Sequence, residues 1–75
     1  MAQVHYQRLT AEERAQLADA CRRLGAARVA RELGVANGVV ASLLTDRAQR
    51  GTYALVRPAM SRLFGELAAH DASTT

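Results

Sequence analysis

The sequence predicts an all-α fold, a compact bundle of four helices that contains a helix-turn-helix. Apolar residues recur at intervals of three and four through most of the chain, which is the spacing of helices with one buried face. Gly34 separates two short helical stretches near the middle. The 75 residues provide for one small core only. We expect an N-terminal arm at residues 1–9, one helix-turn-helix domain at 10–69 and a disordered tail at 70–75.

A capping box predicts where the first helix begins. The hydroxyl of Thr10 can accept a hydrogen bond from the N–H of Glu13, and the Glu13 carboxylate can accept one from the N–H of Thr10. Gly25 is suited to end this helix after about Leu24. The inward face is expected to consist of Leu17, Ala18, Cys21 and Leu24.

Two short helices are predicted next, at residues 26–33 and at about 38–45. Helices that cross over a short turn need a small residue where their backbones meet and a residue that tolerates positive φ in the turn, and Ala30 and Gly34 supply these. Asn37 is predicted to cap the later helix. The inward residues are expected to be Val29, Ala30 and Leu33 in the first of the pair, and Val40, Leu43 and Leu44 in the second.

Pro58 decides the prediction for the last helix. Proline lacks an N–H, fits the first turn of a helix, and disfavours helical geometry at the preceding Arg57. We therefore expect a polar loop at 46–52, a short extended segment at 53–57 and a helix at 58–69. Its apolar stripe should belong mainly to the core, with surplus surface for a second subunit; it consists of Met60, Leu63, Phe64 and Leu67.

Charge and cysteine content indicate the class of partner and the compartment. All ten basic residues are arginine, the net charge is +3, and residues 22–62 hold eight arginines against two carboxylates. An anionic partner is therefore expected. The single cysteine, Cys21, cannot form an internal disulfide, and no apolar run has the length of a signal peptide or membrane span. We expect a cytoplasmic protein.

The sequence offers little for catalysis. His5 and His70 lie in opposite terminal segments, so no spaced set of metal ligands is present. Neither a nucleophile elbow around serine nor a glycine-rich phosphate loop occurs. We expect no enzymatic activity, no cofactor and no metal.

Residues 26–45 resemble a known family, the helix-turn-helix repressors of the lambda repressor and Cro type, which include small phage and plasmid regulators. The residues that carry the resemblance are Leu33, Gly34, Val35, Asn37, Val40, Ser42 and Leu43. It implies phosphate contacts from the first helix of the pair, base contacts from the outward face of the second, and symmetric dimers on a near-palindromic operator in double-stranded DNA. A second stretch, YQRLTAEER at 6–14, looks like the segment before the helix-turn-helix of some transposases.

The candidate site residues follow from that arrangement. The base-facing set is expected to be Asn37, Gly38, Ala41, Ser42 and Thr45, and the phosphate-binding set Arg28, Arg31, Arg47 and Arg50. Of the base-facing set only Asn37 can make a bidentate base contact, while Val39 and Ala41 can touch thymine methyl groups. Further specificity is expected from DNA shape and from an arm that holds Gln3, His5, Gln7 and Arg8.

Two other functions remain open at this point. The scarcity of base readers suits a helix-turn-helix module that docks on a protein, such as a polymerase subunit or a toxin. The same arginines also suit a nucleoid-type protein that binds DNA without sequence preference. The turn pattern together with the basic middle of the chain favours a sequence-specific transcriptional regulator, acting as a dimeric repressor, over both.

Overall fold

Four helices form the part of the chain that the computed structural model describes, which is residues 8–73 apart from the side chain of Arg50. They are α1 (Ala11–Leu24), α2 (Ala26–Leu33), α3 (Asn37–Leu44) and α4 (Arg50–Ser73). The predicted all-α class with four helices is confirmed. Within residues 8–73 there is no strand, and none of the helices is both long and apolar enough to cross a membrane.

One hydrophobic core joins Leu9 to all four helices. Its members are Leu9, Leu17, Ala20, Val29, Ala30, Leu33, Val40, Leu43, Tyr53, Val56, Met60 and Leu63. The inward residues predicted for α2 are all buried. In α1 the buried alanine is Ala20, and Ala18 is only half-buried, because the face that meets the core runs through positions 17, 20, 21 and 24. Leu44 is likewise half-buried and packs at the margin of the core.

The predicted capping box is present at the start of α1. Thr10 Oγ1 accepts from the Glu13 N–H at 3.0 Å, and Glu13 Oε1 accepts from the Thr10 N–H at 2.8 Å. At the other end Gly25 adopts a φ of +90° and donates its N–H to the Cys21 carbonyl. The same glycine carbonyl accepts from Val29, so one residue ends α1 and begins α2.

The prediction for the last helix was wrong at both ends. Residues 53–57 are helical, not extended, and Pro58 lies inside α4 instead of in its first turn. Tyr53, Val56 and Met60 are all buried at helical spacing, and each fully buried side chain of this size contributes about 1.5–3 kcal/mol. Together they outweigh the roughly 3 kcal/mol that an interior proline costs. Ala54, whose carbonyl loses the N–H of residue 58, is exposed, so water can satisfy it.

The tail expected at 70–75 is helical as far as Ser73, and residues 74–75 lie outside the described part of the chain. Asp71 pairs with Arg23 of α1 through two hydrogen bonds, one of them 3.1 Å long from Nη1 to Oδ2. Asp71 and Arg23 are 48 positions apart, so no local pattern predicts their contact. The pair ties the last turns of α4 to α1. Of the arm expected at 1–9, residues 1–7 are not described, and Leu9 belongs to the core.

Arg57 connects the middle of α4 to the beginning of α1. Its guanidinium donates from Nε to Glu13 Oε2 at 3.3 Å, from Nη2 to Glu13 Oε1 at 3.1 Å, and from Nη2 to the Arg8 carbonyl at 2.6 Å. Partial burial by itself raises the pKa of Glu13, but the hydrogen bonds from Arg57 and Thr10 and the charge of Arg57 outweigh it. The pKa of Glu13 therefore lies below its usual value of 4.5.

The lowered pKa of Glu13 predicts a specific loss of stability in acid. A carboxyl whose folded pKa is below its unfolded pKa stabilises the fold above the unfolded value, and this contribution disappears as the pH falls through the folded pKa. Glu13→Gln should lower the free energy of unfolding by about 1 kcal/mol near neutral pH, because a charge-assisted bond becomes a neutral one. As the pH falls from about 6 to about 3, the free energy of unfolding of Glu13→Gln should decline less steeply than that of the original protein.

Urea titrations of both proteins across this pH range measure the effect. Glutamine keeps the shape of the side chain and can still take part in a capping box, so the comparison isolates the charge. Parallel curves for the two proteins would show that Glu13 carries no pH-dependent stability.

Candidate nucleic-acid interface

The turn between α2 and α3 is fixed by backbone hydrogen bonds. Gly34 lies in the left-handed region, with φ 74° and ψ 32°. Its N–H donates to the Arg31 carbonyl at 3.2 Å, and the Val35 N–H donates to the Ala30 carbonyl at 2.9 Å. These two bonds form a Schellman motif, and Val35 then turns back onto the core. The helix, turn and helix predicted from the sequence are therefore all present.

The residues predicted to face bases lie on the solvent side of α3. Val40 and Leu43 hold the opposite side in the core, with 1% and 0% of their surface exposed. Four of the predicted residues are exposed and Ser42 is half-buried; the exposed ones are Asn37, Gly38, Ala41 and Thr45. This surface carries no charge, because α3 contains neither an acidic nor a basic residue.

The prediction that Asn37 caps α3 was wrong. The cap position is Ala36, with φ −73° and ψ 157°, and no side chain bonds to the first N–H groups of the helix. Instead the Val39 N–H donates to the Ala36 carbonyl at 3.0 Å, which satisfies one of these groups within the backbone. Asn37 is the first residue of α3 and is exposed. Within residues 8–73 its amide makes no hydrogen bond, so both its donor and its acceptor are available.

The two hydroxyls of α3 and its C-cap donate to the helix itself. Ser42 Oγ donates to the Gly38 carbonyl at 3.2 Å, and Thr45 Oγ1 donates to the Ala41 carbonyl at 2.9 Å. Each hydroxyl retains only acceptor lone pairs for an outside partner. Asn37 is consequently the one residue of this outward face that presents a donor and an acceptor together.

The connection between α3 and α4 is unusually well held for a loop. Asp46 adopts a positive φ of 62°, and the Arg47 N–H next to it donates to the Ser42 carbonyl at 2.7 Å. The Asp46 carboxylate accepts from the Tyr53 hydroxyl at 3.1 Å and from Arg8 Nη1 at 3.2 Å. The Tyr53 hydroxyl also accepts from the Ala48 N–H at 3.2 Å. Burial and the bond to Asp46 raise the pKa of Tyr53, which keeps the phenol protonated as a donor.

The arginines predicted to bind phosphate differ in how they are engaged. Arg28 lies 3.9 Å from Glu32, a loose pair on the surface of α2. Arg31 and Arg47 are exposed and form no ion pair within the described residues. Arg50 begins α4, and its side chain lies outside the described part of the structure. Unpaired arginines therefore precede α3 in the chain, on α2, and follow it, on the connection.

Sequence reasoning missed the residues that organise this surface. Tyr53 was assigned to an extended segment, and Asp46 to a plain polar loop. The tyrosine seven residues after an aspartate is the only local signal for their contact, and it is a weak one. No group of three or more histidines, cysteines, aspartates or glutamates in residues 8–73 could hold a metal ion. The half-buried Cys21 packs on the core, and burial raises the pKa of its thiol.

The chain matches no protein-family model, no curated protein and no solved structure.

The positive φ of Gly34 predicts that alanine has opposite effects on stability at position 34 and at position 38. Gly34→Ala should lower the free energy of unfolding by about 1–2 kcal/mol, because a Cβ is strained at positive φ even though no atom lies within 4 Å of it. Gly38→Ala, inside α3 and equally open, should raise it by roughly 0.5–1 kcal/mol. Urea unfolding of both variants measures the difference, and a tolerated alanine at position 34 would contradict the turn described here.

Proposed function

We propose that this protein is a sequence-specific DNA-binding regulator of transcription that acts in the cytoplasm as a dimer, and represses by occupying an operator. One observation carries the proposal: the uncharged, small-residue face of α3 is open to solvent and is flanked in the chain by exposed, unpaired arginines, Arg31 before it and Arg47 after it. The resemblance of residues 26–45 to small phage and plasmid repressors points the same way. The protein would act by occupancy and not by catalysis.

The dimensions of α3 suit the major groove. An α-helix with its side chains is about 10–12 Å in diameter, which fits the roughly 12 Å width of the groove, and the eight residues of α3 give about 12 Å of length to lie within it. Because Gly38 and Ala41 have almost no side chain, the backbone of α3 can approach the base edges closely. Arginine side chains on either side would then reach the phosphates, which position the protein without reading sequence.

The exposed side of α4 is where we place the contact between two copies of the chain. Of the apolar residues expected to offer surplus surface, Met60 and Leu63 are buried, and Phe64 and Leu67 are partly buried against the core. Leu55, in contrast, is 69% exposed. Its exposed neighbours within the first three turns of α4 are uncharged: Gly51, Ala54 and Pro58. A helix that crosses its own copy satisfies the self-complementarity that a two-fold dimer requires.

Placing a charge at position 55 should therefore separate the two copies. Leu55→Arg is expected to weaken dimerisation at least tenfold, measured by sedimentation over a range of protein concentrations, with helicity by circular dichroism unchanged. Gln16→Arg, which adds the same charge to an exposed position of α1, is the matched control and should dimerise normally. Equal dimerisation of the two variants would show that Leu55 is not at the contact between copies. An unmodified protein that is monomeric at every concentration would refute the dimer itself.

A second candidate function is favoured by the absence of charge on α3. An uncharged helix face of eight residues also suits docking on another protein, such as a polymerase subunit or a toxin. Binding to DNA distinguishes the two, since the docking module would show none at physiological salt. A nucleoid-type protein would bind all duplexes equally.

Fluorescence anisotropy of the protein with labelled DNA from around its own coding region and with a scrambled duplex tests the proposal. Binding that survives physiological salt only on the native sequence supports a specific regulator. Equal binding to both duplexes supports the nucleoid-type role. No binding at low salt would refute both DNA-binding functions.

Arg31→Ala supplies a sharper form of this test. It should weaken binding about equally on all sequences and reduce the slope of log affinity against log salt by about one, because one phosphate contact is lost. Arg22→Ala is the control: this exposed arginine pairs with Asp19 and lines the groove between α1 and the C-terminal half of α4, together with Phe64 and Leu67. If both variants changed the salt slope alike, general charge and not an α2 contact would be responsible.

A further inference from the structure

A shallow open groove runs alongside α3. Val39 and Ser42 of α3 form one side, and the other side comes from the connection and the first turn of α4, through Arg47, Ala48, Gln49 and Thr52. Gln49 is exposed and belongs to the connection. Gln49 therefore lies beside α3, next to the edge formed by Val39 and Ser42, although it is not part of that helix.

The backbone on both sides of Gln49 is held in place. Ahead of it, the Ala48 N–H donates to the hydroxyl of the buried Tyr53 at 3.2 Å. After it, the Thr52 N–H donates to the carbonyl of Gln49 itself at 3.0 Å, which begins α4. The side-chain amide makes no hydrogen bond within residues 8–73. Gln49 thus combines a fixed backbone with an unoccupied amide, which lowers the entropic cost of a contact.

The chemistry of an amide matches one base in particular. The side-chain amide of asparagine or glutamine can accept a hydrogen bond from the adenine N6 amino group and donate one to adenine N7. Together these form a bidentate contact in the major groove. From residue 37 to residue 49 the sequence contains two amides, Asn37 and Gln49. The rest of the outward face offers hydroxyls whose protons are already donated, or no polar group.

We propose that Gln49 is a specificity-determining residue that reads an adenine, so that base recognition is shared between α3 and the connection after it. This inference rests on the proposed DNA-binding function. Asn37 lies at the start of α3, whereas Gln49 borders Val39 and Ser42, about 3 Å and about 7.5 Å further along the helix axis. With α3 lying along the groove and about 3.4 Å per base pair, the two adenines are expected one or two base-pair steps apart.

Selection of binding sites from a randomised duplex library tests the assignment. The unmodified protein should select two separated adenines in each half-site. Gln49→Ala should lose at least about tenfold of the preference at one position and keep the other, because a bidentate contact is lost. Asn37→Ala should show the converse. Gln16→Ala, at an exposed glutamine of α1, is the matched control and should preserve both preferences.

A gain of function makes the test independent of weakened binding. Gln49→Arg should shift the preference at its own position from adenine to guanine, since arginine forms a bidentate contact with guanine. Unchanged preferences in Gln49→Ala would overturn the assignment, as would equally weakened binding to every sequence, which is the mark of a phosphate contact. An unmodified protein that binds no DNA, or all DNA equally, would refute the proposed function itself.

Discussion

The hydroxyl of Tyr53 joins the core to the surface on which the proposed function depends. Its ring is 2% exposed within the core, while its oxygen reaches out to bond Asp46 and Ala48. Asp46 follows the C-cap of α3 and holds a positive φ, so this contact fixes the connection at the residue where the chain turns. Burial of Tyr53 at helical spacing also favours a start of α4 before position 53. The length of α4 and the placement of the connection therefore depend on the same tyrosine.

Local signals predicted the first half of the fold well. The capping box at Thr10 and the glycines at 25 and 34 act through their own backbone or through neighbours three or four residues away, and such effects are visible in a sequence. Pro58 misled because its local preference of a few kcal/mol competes with burial of Tyr53 and Val56, which only the assembled core provides. Asn37 misled for a related reason: a backbone bond from Val39 to Ala36 replaced the expected cap. The bond between Arg23 and Asp71 spans 48 positions and has no sequence signature.

The number of arginines overstates what this chain has available for an anionic partner. Arg57 is committed to Glu13, Arg23 to Asp71 and Asp19, and Arg8 to Asp46. The Arg57 contact stabilises the start of α1 and the pre-proline turn of α4, so it serves the fold. Counting arginines in a basic segment therefore gives an upper limit, and the structure identifies which of them stay unpaired near α3. Arg31 and Arg47 were among those predicted from sequence, because residues flanking the turn were chosen by position and not by charge alone.

Beside α3, different residues pack in the core and present polar side chains to solvent. Val40 and Leu43 hold α3 in the core, whereas Gln49 and Arg47 project from a backbone that Tyr53 holds from beneath. Substitutions at 47 and 49 consequently leave the packing of the bundle untouched. Under the proposed function, a lineage carrying this fold would be free to acquire new targets by changing two loop residues, without passing through an unstable intermediate.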